Sequence, residues 1–103
     1  MTPYILHPEV RKFLKPLSLD IKSKVGAGLF LLQEYGRLLP PPDSKKISGR
    51  IFELRIRASV QIRLLYGFSG GVAFVVHGFV KKSNKIAPRE LRLAEKRFAE
   101  FAE

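Results

Sequence analysis

The feature that most constrains the fold of this chain is a two-residue alternation in the stretch from Arg50 to Lys85. Between Phe52 and Arg57, apolar and charged residues alternate, so a strand here has one hydrocarbon face and one charged face. The alternation returns over residues 61–68, where Gln61 and Arg63 share the polar side. Two such strands in succession predict an antiparallel hairpin with its apolar side in a core.

The loop of this hairpin sets the register of the two strands. An odd number of loop residues brings both apolar faces into one core, and we predict the loop Ala58-Ser59-Val60. Arg55 then lies directly opposite Arg63. Because like charges at opposed positions destabilise a hairpin, an anionic ligand is a natural reason for the arrangement, and RNA is the ligand that we favour.

Composition narrows the class of protein. The chain has 103 residues, enough for a single domain over residues 1–103 with one modest core. Its net charge of +10 favours a polyanionic partner, and residues 45–64 hold six basic side chains against one acidic. The absence of cysteine excludes disulfides and thiol catalysis. With two histidines, we expect no metal site and no cofactor.

The flanking segments predict helices and further strands. Pro8 is suited to open a short helix, Ser18 to cap a longer one that ends at Gly36, and Pro88 to open a closing helix. A third long strand is predicted over residues 72–81, and a short edge strand over 45–47. The predicted fold is therefore α+β: two N-terminal helices packed in two layers on a three- to four-stranded antiparallel sheet, followed by a C-terminal helix.

The end of the third strand adds lysines to the arginine pair. If sequential strands are neighbours, Lys81, Lys82 and Lys85 lie near Arg63, and these basic side chains surround one concave surface. His77 is either a general acid or base, or a half-buried side chain bonded to its neighbours; we favour the second reading. No paired carboxylate, phosphate-binding glycine loop or catalytic triad is present, so catalysis would use arginine and lysine.

This restriction suits one reaction. RNA cleavage by its own 2′-hydroxyl needs no enzyme nucleophile and no metal, but it needs stabilisation of the charged phosphorane. Arginine supplies that, since its planar fork binds two phosphate oxygens. A lysine clustered with other cations has a lowered pKa and can transfer a proton. Because lysine is a poor acid–base catalyst, we expect another molecule to hold the RNA in a strained, in-line geometry.

The chain resembles the RelE/HigB superfamily of type II toxin–antitoxin toxins, and most closely its phage-derived HigB-like branch. The resembling segments are FELRIR (52–57), IRLLYGF (62–68), VVHGFVKKSNK (75–85) and PRELRLAEKRFAEF (88–101). The resemblance implies a microbial RNase-like fold with one basic sheet face. It also implies a ribosome-dependent mRNA endonuclease that contacts 16S rRNA and leaves a cyclic phosphate. A cognate antitoxin of helix-turn-helix type is the implied partner.

Residue by residue, the resemblance and the charge pattern together give the predicted site. The catalytic set is Arg55, Arg63, Lys81 and Lys82, and the RNA-binding set is Lys45, Lys46, Arg50, Arg57 and Lys85. The chain departs from several relatives at the C-terminus, because no tyrosine or histidine follows His77 to transfer a proton. The general base is therefore open, with Lys81 or Lys82 as candidates.

Two other functions compete with the nuclease. A ParE-like toxin would inhibit DNA gyrase and cleave nothing, and its basic face would be incidental. A non-catalytic RNA-binding domain would bind RNA in a salt-dependent manner with no need for the ribosome. The first ten residues lack a basic start followed by an apolar run, so no signal peptide is predicted, and we expect a cytoplasmic protein without membrane contact.

Overall fold

A computed structural model describes residues 1–102 and contains three α-helices and five β-strands. A 3₁₀ turn at Gly36–Leu38 leads from the second helix to three successive prolines at 40–42. The helices are α1 (Pro8–Leu14), α2 (Leu19–Tyr35) and α3 (Pro88–Phe101), and the strands are β1 (Tyr4–Leu6), β2 (Ser44–Ser48), β3 (Ile51–Arg57), β4 (Gln61–Ser69) and β5 (Val72–Val80).

The strands form one mixed sheet in the order β1-β5-β4-β3-β2. Four of them are antiparallel neighbours, but β1 pairs parallel with β5 over Ala73–Val75. The predicted three- to four-stranded antiparallel sheet was therefore wrong in strand number and in the direction of one strand. The reason is length: three residues are too few to show the alternation by which strands are recognised in a sequence.

The predicted hairpin is confirmed in its loop and in its register. β3 ends at Arg57 and β4 begins at Gln61, so the loop is Ala58-Ser59-Val60. Arg55 lies directly opposite Arg63, and Lys81 donates its backbone N–H to the Gln61 carbonyl at 2.8 Å. The end of β5 thus lies beside the start of β4, as predicted.

The N-terminal helices follow the predicted signals. Pro8 opens α1, and the Ser18 hydroxyl caps α2 by accepting from the Ile21 amide at 3.3 Å. Gly36, with a φ of 53°, ends α2 in a conformation that favours glycine. The buried stripe of α2 packs on the apolar face of the hairpin; its members are Ile21, Val25, Leu29 and Leu32.

The prediction of two layers was wrong, because α3 covers the opposite face of the sheet. A second apolar cluster joins Ala94 and Phe98 of α3 to Leu65 of β4 and Val76 of β5. An irregularity in the pairing after Leu65 shifts the register of β5 by one residue. The face predicted to carry only charge is therefore apolar where α3 packs and polar where α3 does not reach.

Two glycines give a matched test of this packing. A Cβ at Gly67 would lie 2.7 Å from the Phe98 ring and 2.9 Å from the Arg50 carbonyl oxygen, whereas a Cβ at Gly26 would meet nothing within 4 Å. We expect Gly67→Ala to lower the free energy of unfolding by about 1–3 kcal/mol, since overpacking forces α3 away from the sheet. Gly26→Ala should raise it by up to about 1 kcal/mol through helix propensity.

Urea unfolding of both variants checks this expectation. Equal stability of the two variants would contradict the close approach of α3 to β4. Separately, none of the helices within residues 1–102 has the length and apolar character needed to cross a membrane.

Candidate nucleic-acid interface

A carboxylate and two arginines form a cluster on the α3 side of the hairpin. Glu53 and Arg55 lie two residues apart on β3 and therefore share a face, with Arg63 across from them on β4. Nε of Arg55 donates to Oε1 of Glu53 at 2.8 Å, and Nε of Arg63 lies 3.7 Å from Oε2 of Glu53. Glu53 thus offsets the repulsion between the opposed arginines, a role that the sequence analysis assigned to a ligand.

Arg63 is buried deeply for a guanidinium. The residue is 5% exposed and Glu53 is 3% exposed. NH1 of Arg63 donates to the Ile62 carbonyl oxygen at 3.1 Å, while its Nε has no hydrogen-bond partner among residues 1–102. Burial lowers the pKa of Arg63, Glu53 raises it in part, and Arg55 and Arg57 lower it further. Arg63 therefore has a buried N–H donor that makes no hydrogen bond within the described part of the chain.

A cavity of about 280 Å³ opens beside this cluster, and we call it the basic cavity. Five cations and one carboxylate line it, so its charge suits an anion. Lys45, Lys46 and Lys85 are exposed, whereas Arg55 and Lys81 are half-buried. The complete lining is Lys45, Lys46, Ile47, Glu53, Arg55, Lys81, Asn84, Lys85, Ile86 and Leu91.

The structure thus brings five of the predicted residues to one cavity and places the others elsewhere. Arg63 does not line it and is bonded to the Ile62 carbonyl oxygen. Arg50 stacks on the Phe98 ring, 4.8 Å from its centroid, and lines a separate depression with Glu95. Arg57 donates to the Pro42 carbonyl oxygen at 3.2 Å. Neither of these two arginines lines the basic cavity.

Lys82 lines a second, larger cavity of about 450 Å³, which we call the edge cavity. It runs along the last residues of β5 between Phe13 of α1 and the start of α3, with Arg89 on its rim. Lys81 and Lys85 line both cavities, so the two cavities adjoin at these lysines. The predicted single concave surface is in fact two cavities that share two lysines.

His77 makes contacts typical of a structural histidine. Arg97 NH1 lies 3.3 Å from its Nδ1, and its Nε2 lies 3.0 Å from Oε1 of Glu90. Because a guanidinium only donates, Nδ1 accepts and the ring proton lies on Nε2, directed at Glu90. With both nitrogens engaged and 8% exposure, His77 ties α3 to β5. This agrees with the reading of His77 as a half-buried, bonded side chain.

Sequence reasoning missed three residues of this region. Glu53 is the only acidic residue within 45–64, and the strand alternation puts it on the same face as Arg55. Its ion pair with Arg55 could therefore have been predicted from the sequence. Glu90 and Arg97 gave no such signal, because their partner lies on another element. Among residues 1–102, no group of three or more histidine, aspartate or glutamate side chains is placed to hold a metal ion.

Comparison with known proteins identifies a family to which most of the chain is similar. The model of a family described as phage derived protein Gp49-like (DUF891) matches residues 12–99, from within α1 to the last turn of α3. The match therefore includes every residue that lines the basic cavity. No curated protein matches the chain significantly.

Proposed function

The chain belongs to the Gp49-like family of phage-derived proteins, a family of toxin-like proteins of toxin–antitoxin systems, and we propose that it is a type II toxin that cuts messenger RNA on the ribosome. The finer assignment to the HigB-like branch of the RelE/HigB superfamily is part of this proposal. Its support is the agreement between the resembling segments and the strands and helix that build the basic cavity.

The observation that carries the proposal is the position of Arg55 in the basic cavity, directly across the hairpin from buried Arg63. Glu53 fixes Arg55 through Nε, which leaves the terminal nitrogens of that guanidinium for other acceptors. Donors that are held in place before the reaction stabilise charge as it develops, with little reorganisation. A phosphodiester is the RNA group that gains such charge during cleavage.

The proposed step is transesterification within the RNA. The 2′-oxygen loses its proton and attacks the adjacent phosphorus, and the bond from phosphorus to the 5′-oxygen breaks. The products are a 2′,3′-cyclic phosphate and a 5′-hydroxyl that has taken up a proton. Arg55 binds the phosphate oxygens, and Lys81 is the proposed proton-transfer group, since it is half-buried and lines the same cavity as Arg55.

Arg63 acts through Glu53 in this proposal. It keeps the Glu53 carboxylate from neutralising Arg55 completely, because two cations share one anion. The exposed lysines Lys45, Lys46 and Lys85 hold the RNA backbone on either side of the reacting phosphate. Lys82 extends the binding surface along the edge cavity. Arg50 and Arg57 lie outside the basic cavity and are the weakest members of the predicted RNA-binding set.

Dependence on the ribosome follows from what this cavity lacks. Among the residues that line it there is no histidine, and its one carboxylate is paired with arginine. Lysine accepts a proton slowly near neutral pH, because at that pH most lysine side chains are already protonated. A ribosome that holds the message in line would supply the missing rate by orienting the 2′-oxygen. A cognate antitoxin is the partner that such a toxin requires.

Reconstituted translation tests this function. The 5′ ends of a defined message are mapped after addition of the protein, in the presence and in the absence of ribosomes. We expect new ends only on the translated message. Equal cutting of free RNA would contradict the ribosome requirement, and an intact message would contradict the nuclease. Intact message combined with growth arrest would direct attention to gyrase, and intact message without arrest would indicate a binding module.

A further inference from the structure

The last half of β5 has no strand on its outer side. β1 covers only Ala73–Val75, after which the chain turns away at His7 into α1. β4 continues to pair with β5 on the other side as far as Val80. An unpaired strand edge presents backbone donors and acceptors that can pair with another chain.

The register identifies the backbone groups at this edge. The Lys81 N–H donates toward β4, to the Gln61 carbonyl, and backbone direction alternates along an antiparallel strand. Gly78 and Val80 therefore direct their N–H and C=O groups away from β4. Within residues 1–102 neither residue makes a backbone hydrogen bond to a loop. The carbonyl oxygen of Val76, two residues before Gly78, already accepts a hydrogen bond from Arg97 NH1 at 3.0 Å.

The edge cavity lies along these free groups and has a cationic rim. Lys82, Lys85 and Arg89 are exposed around it, and Glu90, its one carboxylate, is bonded to His77. Phe13 and Phe79 form its apolar part. An extended chain that lies along this cavity would thus meet the backbone groups of β5, an apolar wall and positive charge.

A peptide fits this edge better than a nucleic acid. The phosphate oxygens of a nucleic acid only accept hydrogen bonds, so its backbone lacks the regular alternation of donors and acceptors that the N–H and C=O groups of Gly78 and Val80 require. An extended peptide matches both the N–H and the C=O groups, and its alternate side chains reach the cavity. Acidic side chains would also meet Lys82, Lys85 and Arg89.

We propose that an extended, acidic segment of the cognate antitoxin pairs with the β5 edge at Gly78 and Val80 and fills the edge cavity. The proposal rests on the toxin–antitoxin part of the proposed function. Because Lys81 and Lys85 line both cavities, such a segment lies against cations that the basic cavity needs for RNA. Neutralisation then results from charge pairing beside the site, without a change in the cluster of Glu53, Arg55 and Arg63.

Val80→Pro is the variant that tests the edge directly. Proline removes the outward N–H of Val80 but no bond to β4, and proline is tolerated on an edge strand of this kind. Val80→Ala is the matched control, since it shortens the same side chain and keeps the N–H. Gly78 is unsuited to substitution, because a Cβ there would lie 2.7 Å from the Phe13 ring.

The binding probe is the purified product of the reading frame adjacent to this gene. We expect Val80→Pro to raise its Kd about tenfold or more, as expected for a lost hydrogen bond plus a steric block, and Val80→Ala to change it by less than about threefold. Arg89→Glu should weaken binding more at low salt than at high salt. Gly26→Trp, which fills a separate apolar groove lined by residues of α1 and α2, should leave Kd unchanged.

Amide hydrogen exchange on the parent protein gives a second readout that requires no variant. The amides of Gly78 and Val80 should exchange readily in the free protein and become protected in the complex. No binding of the adjacent product, unprotected amides in a formed complex, or loss of binding by Gly26→Trp alone would each overturn the proposal. Growth arrest by the parent is recorded in parallel, so absent arrest with protected amides would reject only the proposed toxin activity.

Discussion

Replacing Arg55 by alanine is expected to lower the rate of message cleavage about 10²- to 10³-fold, the usual loss when one preorganised donor to a developing oxyanion is removed. Arg55 is half-buried, bonded through Nε to Glu53 and part of the wall of the basic cavity. Its loss removes the guanidinium from the phosphate but leaves Glu53 beside Arg63. The measurement is the rate of end formation on a translated message at saturating ribosomes.

Arg57→Ala is the matched control for this variant. Arg57 lies two residues along the same strand, but its guanidinium bonds to the Pro42 carbonyl outside the cavity. We expect its cleavage rate to stay within about threefold of the parent, as for most surface substitutions. Comparable loss of cleavage in both variants would mean that charge on β3, and not the position of Arg55, governs the activity.

Arg63 requires a different substitution because it is buried. Arg63→Ala leaves a void and an altered charge balance next to Glu53, so loss of activity there would mix folding with chemistry. Arg63→Lys keeps the charge near Glu53 but removes the planar guanidinium and its NH1 bond to the Ile62 carbonyl oxygen. We expect this variant to fold, with its cleavage rate lowered less than that of Arg55→Ala. Retention of the full rate would remove Arg63 from the site.

Glu53→Gln is expected to cause the largest loss of stability, about 3–5 kcal/mol, as is usual when one partner of a buried ion pair is removed. The substitution leaves the guanidinium of Arg63, at 5% exposure, opposite Arg55 with no carboxylate between them. Repulsion across the hairpin then adds to the cost of a buried, uncompensated charge. The midpoint of urea unfolding measures the change.

Asp20→Asn is the control for the loss of a carboxylate. Asp20 lies 3.9 Å from Lys24 on the exposed surface of α2, where such pairs contribute less than about 1 kcal/mol. A change for Glu53→Gln no larger than that for Asp20→Asn would contradict the assignment of Glu53 as the anion that permits opposed arginines. The same result would return that role to a bound ligand.

The hairpin at the centre of the fold was predictable because alternation is a local property. Phe52 to Arg57 fixed one face, the three-residue loop fixed the register, and both predictions were confirmed. Strand β1 was not predictable, since its three residues carry no period and its partner lies about 70 residues along the chain. Parallel pairing of this kind depends on tertiary contact.

The position of α3 shows a different limit. Ala94 and Phe98 are buried at helical spacing on α3, but such a periodicity does not say which face of the sheet receives the helix. Leu65 indicates the face that α3 covers, because it shares a face with Arg63 and yet is apolar. An apolar residue on a face otherwise predicted to be charged indicates a covering element.

In the candidate site, too, the features set by local alternation were predictable and those set by tertiary packing were not. The alternation predicted that Arg55 and Arg63 oppose each other, and strand order brought Lys81 toward them. The burial of Arg63 was not predictable, since it depends on the coverage of the sheet. Nor was the position of Arg50, whose guanidinium stacks on Phe98 of a distant helix.

The central claim is that the basic cavity cleaves messenger RNA held by the ribosome. The most direct test is to map the cut ends of a translated message and determine the chemistry of those ends, for the parent and for Arg55→Ala. We expect the parent to give upstream fragments that end in a 2′,3′-cyclic phosphate, and Arg55→Ala to give at least about a hundredfold fewer of them. Fragments ending in a 3′-hydroxyl, or equal cutting by both proteins, would contradict this claim.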